Sequence, residues 1–90
     1  MTFAAIIAKI MPESPETNLT EIKNKALEFL EKKGAKNISF EERDIAFGLK
    51  AVMVKMAWPE VQDTSIIEDG LAKIPHVSSV MIEDYRRAFG

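Results

Sequence analysis

Two stretches of this chain are apolar on both faces of an extended strand, and they constrain the fold more than any other feature. From Phe3 to Met11, and again from Leu49 to Met56, the odd and the even positions are both mostly apolar. A strand of this kind needs neighbours on each side and cover on its faces, whereas a surface strand alternates apolar with polar residues. Both stretches are therefore predicted to be central strands of a sheet.

The segment between these strands contains one helix and one edge strand. A helix is predicted from about Asn18 to Lys33, since Asn18 and Glu21 have the spacing of a capping box and Gly34 can supply a left-handed cap. Residues 36–44 alternate polar and apolar side chains, which is typical of an edge strand with one solvated face.

A second helix is predicted from Thr64 or Ser65 to Lys73. Ser65 and Glu68 again have the spacing of a capping box, and apolar residues recur at helical intervals. Gly70 weakens this helix by roughly 1 kcal/mol relative to alanine, so its length is less well defined by the sequence.

The last strand is predicted from Val77 to Ile82, with the residues from Tyr85 to Gly90 trailing away from it. The order is then strand, helix, strand, strand, helix, strand. Two right-handed crossovers joined by a hairpin give a ferredoxin-like α/β sandwich, an α+β fold in which a four-stranded antiparallel sheet carries both helices on one face. Residues 1–90 are expected to form a single domain, because a chain of this length supports one core.

The hairpin turn from Asp44 to Lys50 contains an unusual residue for such a position. Gly48 can adopt the positive φ that a tight turn needs, but Phe47 beside it is a large apolar ring where hairpin tips usually carry polar groups. Two interpretations are open. Phe47 either folds back onto the end of the core or contacts a partner.

Composition and the scarcity of reactive groups argue against several classes of function. The chain has no cysteine, a net charge of −2 and one histidine, His76, in a turn without a relay partner. The neighbours Glu41 and Glu42 point to opposite faces of their strand, so they cannot form a catalytic pair. We expect no catalytic residue, no metal, no cofactor, no direct nucleic-acid partner and no membrane segment, and we expect a cytoplasmic protein that is monomeric when free.

Two other functions are compatible with this fold. RNA-recognition domains stack bases on aromatic residues of the first and third strands, but the third strand here lacks the later aromatics and the first offers only Phe3. A small-ligand-binding regulatory module would normally self-associate through its sheet. RNA binding is the weaker of these alternatives, because the net charge of −2 gives no general attraction to a polyanion.

Two motifs carry a more specific signal. The segment from Ile10 to Glu16 and the segment from Ile45 to Ala51 together closely resemble translation elongation factor 1-beta of the short archaeal type. Thr64, the run from Leu71 to Ile74 and the run from Val77 to Val80 also fall where that family has them, so the resemblance covers essentially the whole chain.

The resemblance implies a guanine nucleotide exchange factor that binds elongation factor 1-alpha and promotes release of GDP and loading of GTP. In the eukaryotic relatives a loop aromatic docks against a second domain of the GTPase, and a lysine near the C-terminus enters the magnesium and phosphate region. Phe47 matches the aromatic, with Gly48 and Lys50 beside it, and counting from the last strand places Arg87 opposite the lysine.

This chain departs from the eukaryotic pattern at its C-terminal end. Arginine is a planar fork where lysine is a compact point charge, and Arg86 could serve instead of Arg87. The chain also continues through Ala88, Phe89 and Gly90. The predicted partner-binding residues are therefore Phe47, Gly48, Lys50, Arg86 and Arg87.

Overall fold

The computed structural model describes residues 2–87, so Ala88 to Gly90 lie outside the described residues. The elements are β1 (Phe3–Pro12), α1 (Leu19–Lys32), β2 (Lys36–Ala46), β3 (Leu49–Pro59), α2 (Ser65–Ala72) and β4 (Val77–Arg87). The strands form one antiparallel sheet in the order β2-β3-β1-β4. This arrangement confirms the ferredoxin-like fold, with β1 and β3 at the centre as predicted. No helix in residues 2–87 has the length and apolarity needed to cross a membrane.

The core lies between the sheet and the two helices. Even-numbered residues of β1 and β3 face the helices. Ala4 pairs with Trp58 and Ile10 pairs with Val52, so these residues share one face of the sheet, and all four are fully buried. The helices complete this core with residues at helical spacing, namely Ile22, Ala26 and Leu30 of α1 and Ile67 and Leu71 of α2. Burial of these side chains stabilises the fold because each removes apolar surface from water.

Helix α1 begins and ends at the predicted residues. The side chain of Asn18 accepts a hydrogen bond from the Glu21 backbone N–H at 3.1 Å. At the other end Gly34 has a φ of +86°, and the N–H groups of Gly34 and Ala35 donate to the carbonyls of Glu31 and Leu30 at 3.0 Å each. These two bonds form a Schellman motif, which satisfies carbonyls that the helix leaves open.

Helix α2 is capped differently from the prediction. Thr64 occupies the N-cap position without a side-chain cap, and the Asp63 carboxylate accepts a hydrogen bond from the Ser65 N–H at 2.9 Å. The predicted capping box of Ser65 and Glu68 is therefore wrong. Inside the helix, a Cβ on Gly70 would overlap the ring of Phe29. The glycine that weakens α2 locally thus lets α1 and α2 approach closely.

Strand β4 is longer than predicted and contains a bulge. Its pairing with β1 continues through Arg86 opposite Ala5 and Arg87 opposite Ala4, so the prediction of a trailing segment is wrong for residues 85–87; its remaining residues, 88–90, lie outside the described residues. The register shifts between Ile7 and Ala8, which leaves Glu83 unpaired. A bulge breaks the period-two alternation of side chains, and for that reason the sequence pattern after Ile82 does not resemble a strand.

The sheet face opposite the helices is partly closed by charged side chains. Glu83 approaches Lys9 at 3.8 Å and Arg43 at 3.2 Å. Since Arg43 lies on β2 and Glu83 on β4, these side chains extend across the two central strands. Ala51 and Met53 point to this face yet are 0% and 1% exposed. The centre of this face is therefore less available for contacts than an uncovered apolar sheet would be, whereas Ala5 and Met81 on the same face are exposed.

Candidate functional site

The hairpin tip, residues 45–50, presents Phe47 entirely to solvent. Ala46 pairs with Leu49, which leaves Phe47 and Gly48 as the two turn residues, and their φ values are +53° and +78°. Two positive φ values in a two-residue turn are the signature of a type I′ hairpin. Phe47 is 100% exposed, so the interpretation that it folds back onto the core is wrong.

The hairpin tip is supported by the turn that follows β1. Pro15 lies beside Gly48, since a Cβ on Gly48 would be 3.9 Å from the Cβ of Pro15. Ile10 near the end of β1 pairs with Val52 of β3. The two sequence motifs that carried the resemblance therefore meet at one end of the sheet, where the proline-containing turn packs against the hairpin that presents Phe47.

Charged groups accompany the apolar tip. Lys50 pairs in register with Asp44 and is exposed. Farther down β2, Lys23 of α1 contacts Glu42 at 2.7 Å, and this hydrogen bond with the lysine charge lowers the pKa of Glu42, with a smaller contribution from Lys50. Glu42 is thus held as a carboxylate on the helix side of the hairpin. The tip itself offers an aromatic ring with a lysine close by.

The arginine end, formed by Arg86 and Arg87, lies where β4 meets the start of β1. Arg86 shares a face with Ala5, on the side away from the helices, and its Nε donates to Asp84 at 3.0 Å. Arg87 shares a face with the core residue Ala4, on the helix side. Both side chains are solvent-exposed. The two neighbouring arginines therefore point to opposite faces of the sheet.

Glu60 contributes to the arginine end, and sequence reasoning missed it. Its Oε2 accepts a hydrogen bond from the Thr2 hydroxyl at 2.9 Å, and its backbone N–H donates to the Thr2 carbonyl at 3.1 Å. Its Oε1 is buried without a hydrogen bond and lies 4.0 Å from Nε of Arg87. Nothing local in the sequence marks this residue, because the contact joins the end of β3 to the end of β4.

The hairpin tip and the arginine end lie at opposite ends of the sheet. Arg87 pairs with Ala4 and Ala4 pairs with Trp58, so Arg87 lies level with Trp58 of β3. Leu49 begins that same strand beside the hairpin turn. Nine steps of extended strand correspond to about 30 Å. The predicted residues therefore form two separate surfaces, with Phe47, Gly48 and Lys50 on one and both arginines on the other.

The titratable residues outside these surfaces include His76 and the neighbours Glu41 and Glu42. His76 is exposed in a turn, as expected, but the expectation that it has no carboxylate partner is wrong, because its Nδ1 lies 3.2 Å from the Glu13 carboxylate. Glu41 and Glu42 pair with Met53 and Val52 on opposite faces, also as expected. Within residues 2–87 no group of three or more histidine or carboxylate side chains could hold a metal ion.

Comparison with known proteins identifies relatives along almost the whole chain. Residues 5–88 match the family described as the EF-1 guanine nucleotide exchange domain. The chain is 38% identical to elongation factor 1-beta of Haloarcula marismortui over 88% of this chain and 90% of the relative. It is 37% identical to elongation factor 1-beta of Methanocella arvoryzae, over 90% and 91%, and 34% identical to that of Methanosphaera stadtmanae, over 97% and 98%.

Proposed function

The chain belongs to the family of EF-1 guanine nucleotide exchange domains and serves guanine nucleotide exchange in translation elongation, and on that premise we propose that its partner is the GTPase elongation factor 1-alpha. Residues 1–90 act as one domain that binds the GDP-bound and the nucleotide-free partner. The hairpin tip docks on one domain of the GTPase, and the arginine end approaches the site that holds nucleotide and Mg²⁺.

The observation that carries this proposal is the complete exposure of Phe47 in a left-handed backbone conformation. A bulky aromatic residue with positive φ is strained, and full exposure means that the ring gains nothing from the fold in return. Residues with such local costs concentrate at binding surfaces, where buried aromatic side chains are typical anchors. Docking would bury this ring, while Gly48 permits the turn and Lys50 supplies a nearby charge.

The separation of about 30 Å between the two surfaces supports a two-point engagement. A rigid sheet that contacts one domain of the GTPase through its hairpin tip holds its other end at a fixed place relative to the nucleotide site. Both arginines are permanently charged, but only one face of the sheet end can be turned toward that site. We assign the role to Arg87, on the helix side, and make Arg86 the alternative.

Exchange follows from electrostatics without any catalytic group of this chain. GDP is held largely through Mg²⁺ and its phosphates, and a cation placed near those ligands competes with the metal for them. The affinity for nucleotide then falls. By linkage, nucleotide lowers the affinity for the exchange factor by the same factor, so this chain binds the empty GTPase most tightly.

The other functions have less support. An RNA-recognition domain would use the sheet face opposite the helices, but Lys9, Glu83 and Arg43 form ion pairs across that face and Met53 beneath them is buried. The same coverage disfavours self-association through this face. We therefore expect a monomer in free solution, testable by gel filtration with light scattering, and a cytoplasmic location, where elongation takes place.

The decisive experiment follows release of a fluorescent GDP analogue from purified elongation factor 1-alpha in excess GTP, with and without this protein. Acceleration at substoichiometric amounts is expected, because an exchange factor turns over. Absence of acceleration with an active cognate GTPase would overturn the proposal. Phe47→Ala should then reduce docking, whereas Arg87→Ala should reduce exchange more than docking; wild-type rates in both variants would refute the assignment of residues.

A further inference from the structure

An open cavity beside the arginine end carries features of a second binding surface. The cavity has a volume of about 530 Å³ and is lined by Phe3, Lys33, Gly34, Lys36, Pro59 and Val61. We name it the Val61 pocket. Its lining combines apolar side chains with two lysines, which favours a ligand with both an apolar group and negative charge.

Val61 is held in water by a well-fixed turn. The Trp58 indole N–H donates to the Gln62 carbonyl at 3.1 Å, and the Gln62 N–H donates to the Pro59 carbonyl at 3.0 Å. The Gln62 side chain also donates to the Lys33 carbonyl at the end of α1, at 2.6 Å. Between these anchors Val61 remains 84% exposed. A large aliphatic side chain held rigidly at the mouth of an apolar cavity loses little freedom when a ligand covers it.

Each of the two lysines lies near an aromatic ring, and only the ring near Lys36 belongs to the Val61 pocket, since Phe29 lines a separate cavity. Lys36 Nζ lies 5.6 Å above the ring of Phe3, and Lys33 Nζ lies 5.9 Å from the ring of Phe29. Neither ammonium group has a carboxylate of residues 2–87 within 4.0 Å. The Val61 pocket therefore carries positive charge that the described residues do not neutralise.

The end of α1 does not repel an anion as strongly as an open helix C-terminus would. The carbonyls of Leu30, Glu31 and Lys33 already accept hydrogen bonds from Ala35, Gly34 and Gln62. These bonds satisfy groups that would otherwise place partial negative charge at the pocket.

We propose that the Val61 pocket binds a short acidic peptide segment of a partner protein, with one apolar side chain of the segment against Val61, Pro59 and Phe3 and its carboxylates beside Lys36 and Lys33. The cavity has room for one or two large side chains. Two separate lysines supply too few charges for stable attachment to an anionic membrane or a nucleic-acid backbone, both of which need clusters of cations. This inference does not depend on the identity of the GTPase partner.

The test is an NMR titration of the whole chain with the blocked peptide Glu-Glu-Leu-Phe-Glu-Glu. The largest amide shifts are expected at Phe3, from Lys33 to Lys36, and at Val61 and Gln62. Affinity should decrease as salt is raised, because screening weakens the lysine contacts. The peptides Lys-Lys-Leu-Phe-Lys-Lys and Glu-Glu-Ser-Gly-Glu-Glu, and inorganic phosphate alone, should bind much more weakly.

Matched variants separate the pocket from general surface effects. Val61→Ser is expected to weaken binding about tenfold through lost apolar contact, whereas Met81→Ser, at an exposed apolar residue of β4 outside the pocket, should leave it unchanged. Lys36→Glu is expected to weaken binding about fivefold or more, and Lys73→Glu should have little effect. The proposal is overturned by an absence of saturable binding, by shifts that map elsewhere, by equal binding of a control ligand, or by equal losses in Lys36→Glu and Lys73→Glu.

Discussion

Replacing Phe47 with asparagine is expected to stabilise the fold and to weaken partner binding at the same time. The residue has a φ of +53° and its side chain is 100% exposed. A left-handed conformation costs an ordinary L-residue roughly 1–2 kcal/mol, whereas asparagine adopts it several-fold more readily. Because the ring touches nothing in the free protein, its removal withdraws no stabilising contact.

The expected changes in stability and in affinity follow from the backbone strain at residue 47 and from the loss of its aromatic ring. Relief of the backbone strain should raise the free energy of unfolding by about 1 kcal/mol, which corresponds to a rise in Tm of roughly 4–8 °C for a domain of this size. Loss of an aromatic anchor should reduce affinity for nucleotide-free elongation factor 1-alpha by about 2 kcal/mol, or about thirtyfold. Stability and affinity therefore move in opposite directions in one variant.

Phe47→Ala is the matched control, because alanine removes the ring but keeps most of the left-handed cost. Thermal unfolding and a binding titration with the nucleotide-free GTPase should show that both variants lose affinity and that only asparagine gains stability. If Phe47→Asn has an unchanged or lower Tm, the strain argument is refuted. If both variants bind like the wild type, the hairpin tip is not the docking surface.

Three further predictions concern the arginine end and the second helix. Arg87→Ala should slow nucleotide release while leaving the affinity for the GTPase nearly unchanged, and an equal loss of both would show that Arg87 is a docking residue. Gly70→Ala should lower stability by about 1 kcal/mol, because overlap with Phe29 outweighs the gain in helix propensity; a raised Tm would contradict this. Hydrogen bonds from Ser65 lower the pKa of Asp63 below its ordinary 3.8, so the ionised carboxylate stabilises the fold above pH 3.8 and this contribution is lost as the pH falls below that value. In Asp63→Asn, the free energy of unfolding measured in urea should therefore decrease less steeply as the pH is lowered. The same pH dependence in Asp63→Asn and in the wild type would refute this reasoning.

Sequence patterns predicted the elements whose determinants are local. Both faces of β1 and β3 are apolar, which placed those strands at the centre of the sheet. Asn18 and Gly34 marked the ends of α1, since capping depends on residues within one turn. These predictions needed no knowledge of distant contacts, and the structure confirms them.

The failures arose where a distant contact or an irregularity decided the outcome. The bulge at Glu83 interrupts the alternation of side chains, so the sequence pattern predicts a trailing segment where residues 85–87 continue β4. From the sequence alone, Gly70 indicates only a loss of stability of α2, because Phe29, whose ring fills the space above Gly70, is distant in the chain. Likewise, Glu60 approaches Arg87 only because β1 brings the ends of β3 and β4 together.

The candidate site was only partly accessible from the sequence. Phe47 could be singled out, because an aromatic residue at a hairpin tip conflicts with ordinary turn chemistry. The sequence pattern does not show that the length of the sheet separates Phe47 from the arginines, because this separation depends on strand register. The Val61 pocket was missed as well, since its lining comes from three segments that are distant in the chain.

The bulge at Glu83 also has an evolutionary consequence. Removing one residue there would restore regular alternation, and because Arg86 would still pair with Ala5 and Arg87 with Ala4, each arginine would keep its face. A change in chain length at the bulge can therefore shift the position of both cations along the sequence while leaving the faces that they occupy unchanged. Alignments that match basic residues by counting from Val77 will pair side chains from opposite faces wherever one homologue has the bulge and another lacks it.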